Sequence, residues 1–329
     1  MLMGLFDNKH KIEEDRADRA LRPTNISEYI GQNDLINILD IAISAANERK
    51  DPVEHILLSG PPGLGKTTIA NIISRICGSS YYSVSAPSIR SLHDLISLLI
   101  KLRDRDVLFI DEIHSINIKL EEMLYSAMED YTISVKLPNN SINEIPLRRF
   151  CLIGATTKPG VIDQPLRDRF GIMYNMQFYS SDELSEIIYR NCKKLKLNVV
   201  DEESVSMISV RSRGTPRIAN RLLRRVRDFA QVRNNGSIDK NAVSSAMDIE
   251  GVDEIGLTKI DKRYLDTIFR IYNCGPCGIE PIAASCGEDK STISDYIEPY
   301  LVRIGFVART PRGRILTTEG MNYVIEKLR

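Results

Sequence analysis

Hydrophobic positions in the first half of the chain follow two alternating rhythms. Short runs rich in β-branched and aromatic residues occur at His55–Ser59, Tyr81–Ser85, Val107–Ile110, Phe150–Ala155 and Ile172–Phe178. Between them, Ile69–Ile76, Leu92–Leu102 and Leu120–Met128 carry apolar residues three and four apart, the spacing that lines one face of a helix. Strands alternating with helices predict an α/β fold, a parallel sheet covered on both faces, across residues 20–180.

After Ser180 the strand rhythm stops. Asp182–Leu195, Glu202–Arg213, Pro216–Arg233 and Asp239–Ile249 read as helices, with Ser180, Ser181 and Asp201 as caps and Gly214 and Gly236 as stops. This predicts a small all-helical domain over 181–255. Residues 256–329 read as three helices (Arg263–Tyr272, Ile279–Cys286, Ser291–Ile304) and a hairpin formed by Phe306–Arg309 and Arg314–Thr317. That combination is a winged helix, a variant of the helix-turn-helix. Residues 1–19 read as a flexible tail without the apolar core of a signal peptide.

Composition narrows the class. A chain of 329 residues is too long for one hydrophobic core, and 43% hydrophobic with 27% charged residues is the make-up of a globular protein. No apolar run approaches the roughly 20 residues a bilayer crossing needs, so no membrane contact is expected and the cytoplasm is the expected location. Six cysteines suit a reducing compartment. Cys274 and Cys277 form a CxxC near Cys286, but His10, His55, His93 and His114 lie far away in sequence, so the thiols read as incidental rather than as a zinc site. Lysines and arginines number 44 and acids 44. Any nucleic-acid contact must then be local, or multiplied by oligomerisation.

The segment Gly60-Pro61-Pro62-Gly63-Leu64-Gly65-Lys66-Thr67 fits GxxxxGK[ST] and stands between a predicted strand and a predicted helix, the context the motif requires. Glycines let backbone N–H groups turn in around phosphate oxygens, and the helix start adds its positive dipole end. Lys66 suits the β- and γ-phosphates of ATP, and the Thr67 hydroxyl suits Mg²⁺. Further on, Val107–Ile110 runs into Asp111 and Glu112. Alone these acids would read as a helix cap and first turn. After a phosphate loop, Asp111 suits the Mg²⁺ shell and Glu112 suits polarising an attacking water.

These motifs belong to a longer collinear set: Ala20–Pro23, Tyr29–Gln32, Gly60–Thr68, Asp106–His114, Ala127–Tyr131, Ile153–Thr157, Pro165–Gly171, Gly214–Arg221 and Arg309–Arg314. On these stretches the chain resembles AAA+ ATPases and, among them, the RuvB family of Holliday-junction motors. The resemblance implies that Thr157 is a sensor of the γ-phosphate, that Arg169 is an arginine finger entering the neighbouring subunit's site, and that Arg217 is a second sensor. It further implies nucleotide (ATP or ADP) contacts at Leu21, Arg22, Ile30, Thr68, Glu129, Asp130, Tyr131 and Tyr179. It also implies a homo-hexameric ring on double-stranded DNA that drives branch migration in recombination, DNA repair and the SOS response, with RuvA and RuvC as partners. RuvA would dock on a β-hairpin at 131–149, where Ile133, Val135 and Leu137 alternate towards a turn at Pro138-Asn139-Asn140; the return strand lacks the family's Ala-Arg-Ser run and double proline. Apart from the resemblance, Arg167 and Arg169 would read as a surface pair with Asp168, and Arg221, Arg224 and Arg225 as a solvated face or a subunit contact.

At the far end, Arg303, Arg309, Arg312 and Arg314 follow one another without an acid between them. Arg309, Arg312 and Arg314, interleaved with Pro311 and Gly313, suit phosphate contact across a wing tip. The resemblance points to Arg309 and Arg314 as DNA contacts, and to Lys290 where the family usually has arginine. Asp295 and Glu298 on the recognition-position helix disfavour base reading, so the expected contact is independent of sequence; a solvated basic turn or a protein-docking wing is the blander reading. Two other layouts share these domains, a replication-initiator-like ATP switch and a clamp-loader-like ATPase. The first should read bases and the second should end in a collar, so the motifs at Gly214 and Arg309 favour the RuvB-like motor.

Overall fold

The computed structural model of the chain describes residues 20–136 and 142–328. The described residues form two compact units, one running to Ile187 and including Thr215–Arg217, the other made of Ile188–Gly214 and Ile218 onwards.

In the first unit, helix α1 (Asn33–Arg49) leads into β1 (Ile56–Ser59), α2 (Lys66–Ile76), β2 (Tyr81–Ser85), α3 (Leu92–Leu99), β3 (Val107–Asp111) and α4 (Ile118–Glu129). A hairpin of β4 (Thr132–Lys136) and β5 (Ile142–Pro146) follows, then β6 (Cys151–Thr156), the short α5 (Gln164–Arg167) and β7 (Ile172–Asn175). Five strands make one sheet in the order β2-β3-β6-β1-β7, every pair parallel. Parallel strands need crossover helices, and these helices bury both sheet faces. Side-chain alternation divides the strands accordingly: Leu57, Leu108, Ile110 and Leu152 join the core under α3 and α4. Ile56, Leu58, Val107, Phe109, Ile153 and Ala155 join the core under α1 and α2. The phosphate loop therefore leaves the middle of a sheet that is apolar on both sides.

Helix α1 was not among the predicted helices, yet its buried residues Leu35, Leu39, Ile43 and Ala46 keep the helical spacing. The β4–β5 hairpin pairs antiparallel from Thr132↔Pro146 to Lys136↔Ile142. Leu137 and the expected turn at Pro138–Asn140 lie outside the described residues.

Helix α6 (Ser181–Lys194) carries the chain onward to β8 (Asn198–Val199), α7 (Glu202–Arg211), α8 (Pro216–Arg233), β9 (Ser237–Ile238) and α9 (Lys240–Glu250). Asp201 caps α7 by accepting the Ser204 N–H at 2.6 Å. The all-helical expectation needs one correction: β8 and β9 pair in parallel, through two residues each. So short a pair has no periodicity for a sequence to display.

The winged helix comprises α10 (Lys259–Arg270), α11 (Ile279–Cys286), a broken helix α12, strands β10 (Val307–Thr310) and β11 (Gly313–Leu316), and α13 (Thr318–Lys327). Its core gathers Leu257, Tyr264, Leu265, Ile268, Ile282, Ile293, Ile297 and Leu301. Cys277 and Cys286 belong to that core as packed, reduced thiols. Helix α12 was expected as one run; it has α-helical ends, Lys290–Thr292 and Glu298–Arg303, around a π turn at Ile293–Ile297. Pro299 supplies the reason: it has no N–H for the helix ladder and its ring crowds the preceding turn. Widening that turn to a five-residue step, with the Glu298 N–H on the Ile293 carbonyl, accommodates it.

Candidate functional site

The residues singled out around the phosphate loop converge at the carboxyl ends of β1, β3 and β6. Gly60, Gly63 and Gly65 all have positive φ, of 133°, 87° and 105°. A Cβ on Gly65 would lie 2.8 Å from the Tyr29 hydroxyl, and one on Gly63 would lie 3.0 Å from Arg217 Cβ. Helix α2 starts directly after Gly65 with no side chain capping it, so its first N–H groups stay open to an anion. Lys66 donates to the Gly60 and Pro61 carbonyls at 2.7 and 2.9 Å. Burial lowers its pKa from 10.5, against the carboxylates of Asp111 and Glu112, and the nearby Arg217 guanidinium lowers it further. Thr67 and Thr68, on the first turn, are partly exposed, while Leu64 is buried beneath the loop.

Two aromatic side chains wall the loop. The Tyr179 hydroxyl donates to the Leu64 carbonyl at 3.1 Å and meets the Tyr29 hydroxyl at 3.2 Å. Gly31 makes room for this, since a Cβ there would sit 2.7 Å from the Tyr179 ring. Ile30, between Tyr29 and Gly31 in sequence, is half-buried. Leu21 is buried, and the charge of Arg22 is felt by the Tyr81 hydroxyl at the start of β2. Tyr29 opens the Tyr29–Gln32 stretch but carries no role in the sequence reading; only the fold brings its hydroxyl to Gly65.

Asp111 ends β3 and accepts the Glu112 N–H at 3.1 Å. Glu112 itself adopts a left-handed conformation with φ 50° and ψ 46°. For a residue with a Cβ that backbone is strained, by about 1–3 kcal/mol, and such strain gathers at functional sites. Its carboxylate accepts the Thr157 hydroxyl at 3.1 Å and lies 3.2 Å from His114 Nδ1. The same ring nitrogen lies 2.9 Å from the Thr156 hydroxyl. Glu112, His114, Thr156 and Thr157 thus form one polar cluster across the ends of β3 and β6. His114 had been counted among scattered histidines, although its place two residues after an acid pair was a visible cue.

The chain belongs to the RuvB family. Models of the RuvB P-loop domain, the RuvB AAA lid domain and the RuvB C-terminal winged helix domain match residues 21–176, 179–253 and 254–325. A Limosilactobacillus reuteri protein named Holliday junction branch migration complex subunit RuvB is 48% identical over 316 residues, 95% of this chain and 93% of its own length. A protein of the same name from Nostoc sp. is 47% identical, over 93% of this chain and 84% of its own. The solved Thermotoga maritima RuvB, described as a Holliday junction branch migration motor, superposes with a TM-score of 0.85 at 41% identity, covering 94% of this chain and all of that one.

Other residues that the RuvB resemblance marked for the nucleotide lie away from the phosphate loop of their own chain. Glu129 and the adjoining Asp130 end α4, and Tyr131 packs against His55 and Phe150 at ring distances of 6.2 and 5.9 Å. His55 and Phe150 immediately precede β1 and β6, so all three residues lie by the amino ends of the strands. The loop lies beyond the carboxyl ends, about 13 Å away along a four-residue strand. Arg169 lies at the same far edge, three residues before Ile172, which pairs with the first residue of β1. It bonds Glu129 at 2.7 Å and the Pro165 carbonyl at 2.7 Å, and covers the Tyr125 ring at 4.7 Å. Asp168 bonds Gln164 rather than either neighbouring arginine.

In the wing, Arg309 and Arg314 face each other across the β10–β11 pair. Glu298, read as an acid on the recognition face, is instead completely buried, which corrects that reading. It accepts Arg309 Nε at 2.7 Å, Arg314 Nε at 2.8 Å and the Tyr264 hydroxyl at 2.9 Å. Lys290 pairs with the exposed Glu280, and Arg312 stands exposed at the tip. No helix among the described residues is long and apolar enough to cross a membrane.

Proposed function

We propose that this chain is an ATP-hydrolysing motor that moves double-stranded DNA through Holliday junctions, as a cytoplasmic homo-hexameric ring working with RuvA and RuvC in recombination and repair. The observation that carries the reading is the separation of the cluster around Lys66 and Glu112 from Arg169 on opposite edges of one sheet. A cation so placed cannot serve its own chain's phosphates and is free to complete a neighbour's site. Glu129, Asp130 and Tyr131 share that edge and are assigned to the same neighbouring nucleotide.

Within one chain, Gly60–Thr68 hold the phosphates, with Lys66 on the β- and γ-oxygens and Arg217 beside it. Glu112 takes the proton-polarising role on the attacking water, oriented by Thr157. Leu21, Arg22, Ile30 and Tyr179 line the nucleotide's remaining surface. Thr67 and Asp111 offer oxygen ligands of the hard kind that Mg²⁺ takes, and would hold the ion. When bound, the ion neutralises charge developing on those oxygens. The working divisions are a tail over 1–19, an ATPase domain over 20–180, a lid over 181–255 and a winged helix over 256–329. In the last, Arg309, Arg312, Arg314 and Lys290 contact backbone phosphates, and the 131–149 hairpin is the RuvA-docking element.

Branch migration of a synthetic four-way junction, with and without RuvA from the same organism, tests this. ATP-dependent strand exchange that disappears in Lys66→Ala is the expected result. Normal ATP hydrolysis with no junction movement in the presence of RuvA would refute it.

A further inference from the structure

Arg309 and Arg314 share a single buried acid, and every acceptor position of that acid is engaged. Glu298 Oε1 receives Arg314 Nε and the Tyr264 hydroxyl; Oε2 receives Arg309 Nε and, at 3.3 Å, Arg314 Nη2. Arg309 also donates Nη2 to the Ser294 carbonyl at 3.1 Å. Each guanidinium is therefore gripped along one edge, and Nη1 of neither has a hydrogen-bond partner among the described residues. The carboxylate is fully buried, while Arg309 keeps 47% and Arg314 21% of its side-chain surface. Three features fix this arrangement. The π turn before Glu298 sets its place on the helix, Tyr264 anchors it from α10, and the β10–β11 register sets Arg309 opposite Arg314. Gly313 allows the wing to close over Cys277, whose carbonyl would lie 2.4 Å from a Cβ at that position.

We infer that Glu298 is a positioning residue that presents Arg309 and Arg314 to adjacent backbone phosphates as a fixed pair of forks. The inference rests on the proposed contact of the wing with duplex DNA. Arginine side chains lose rotational freedom when they bind, and a partner that orders them beforehand lowers that cost. One carboxylate against two guanidinium groups leaves the pair with a net positive charge. The contrast with Glu280 is instructive. That acid pairs with Lys290 while both are well exposed, so water replaces the bond readily and no orientation is fixed.

The two roles an acid can have here predict effects of opposite sign. An acid that merely repels phosphate should, when neutralised, strengthen DNA binding; a positioning acid should weaken it. The measurement is fluorescence anisotropy of the full-length chain on a labelled duplex of arbitrary sequence, at several salt concentrations. Glu298→Gln should weaken binding about tenfold and flatten the salt slope by about one phosphate contact or more. Glu280→Gln should bind as tightly as the parent or more tightly. If a folded Glu298→Gln protein binds as well as the parent, the inference is overturned. Should Glu298→Gln fail to fold, Glu298→Asp decides. It keeps the charge but draws it back by one methylene, and it should still weaken binding; parental affinity overturns the inference. Arg309→Ala and Arg314→Ala separate the two levels of the argument. If neither weakens duplex binding, the wing is not the DNA contact and the underlying reading fails. If both do while Glu298→Gln does not, only the positioning role fails.

Discussion

Asp261→Ala removes one member of an ion pair that is shut away from water. Asp261 is fully buried, and its partner Arg213 retains 6% of its side-chain surface. Arg213 also donates Nε to the Gly256 carbonyl at 2.7 Å and lies 4.9 Å from the Tyr300 ring centre. Asp261 at the same time closes a capping box with Thr258 at the start of α10. Deleting one partner of a buried pair strands the other charge, which costs about 3–5 kcal/mol. Losing the cap adds about 1 kcal/mol. Against a typical domain stability of about 5–15 kcal/mol, the sum is a large fraction. A chain of several domains has no single unfolding free energy, so the local readout is hydrogen exchange followed by mass spectrometry. Peptides covering α7 and α10 should exchange about 10³-fold faster, since each tenfold corresponds to about 1.4 kcal/mol. Arg213→Met combined with Asp261→Leu should recover most of the protection, because an apolar pair of similar volume carries no stranded charge. A change below tenfold in Asp261→Ala, or a double variant no better than the single one, would refute the reasoning.

Arg169→Ala should lower assembled ATP turnover by about 10³-fold or more. Its pairing with the exposed Glu129 is worth at most about 1 kcal/mol, so the fold should survive; turnover should partly return on mixing with Lys66→Ala subunits, and normal turnover by Arg169→Ala alone would contradict the composite site. Gly65→Ala should weaken binding of a fluorescent ATP analogue at least tenfold, and Tyr29→Ala should not restore it, because the φ of 105° penalises any Cβ even after the nearby hydroxyl is gone. His55 is held neutral, its Nδ1 accepting the Leu152 N–H at 2.9 Å and its Nε2 meeting the Met128 carbonyl at 3.0 Å, and burial lowers its pKa from 6.5. The unfolded chain then binds the extra proton first, so this contribution is intact above pH 6.5 and is lost as the pH falls below it. Melting temperature should accordingly drop on acidification more steeply in the parent than in His55→Gln.

Much of the nucleotide site was legible because its parts are contiguous. Gly60–Thr68 and Val107–Glu112 each place strand, turn and functional group within a few residues, and the fold has only to set them side by side. Glu298 marks the limit of such reading. Its meaning depends on Tyr264, Arg309 and Arg314, which are distant in sequence, and on a π turn imposed by the residue after it. Identity alone made it a repulsive acid on a recognition face; burial turned it into an anchor. Glu129, Asp130 and Tyr131 were found by resemblance, yet only the strand directions tell that they lie at the sheet edge away from their own phosphate loop. Arg213 gave no sign of its buried partner, 48 positions along the chain, because ion pairing of that range leaves no periodic trace.

The two edges of the sheet also constrain the symmetry of any working assembly. An isologous dimer joins a patch to its own copy, so both halves of a shared site would have to lie within one patch. Lys66 and Arg169 lie at opposite ends of the strands, which sets the two halves of the proposed pocket apart. In the proposed shared pocket, head-to-tail contact brings the one edge against the other, and each such contact leaves an unsatisfied edge at either end of the row. In the proposed ring such a row closes on itself, and every pocket within it then answers to a neighbour on one side while governing a neighbour on the other.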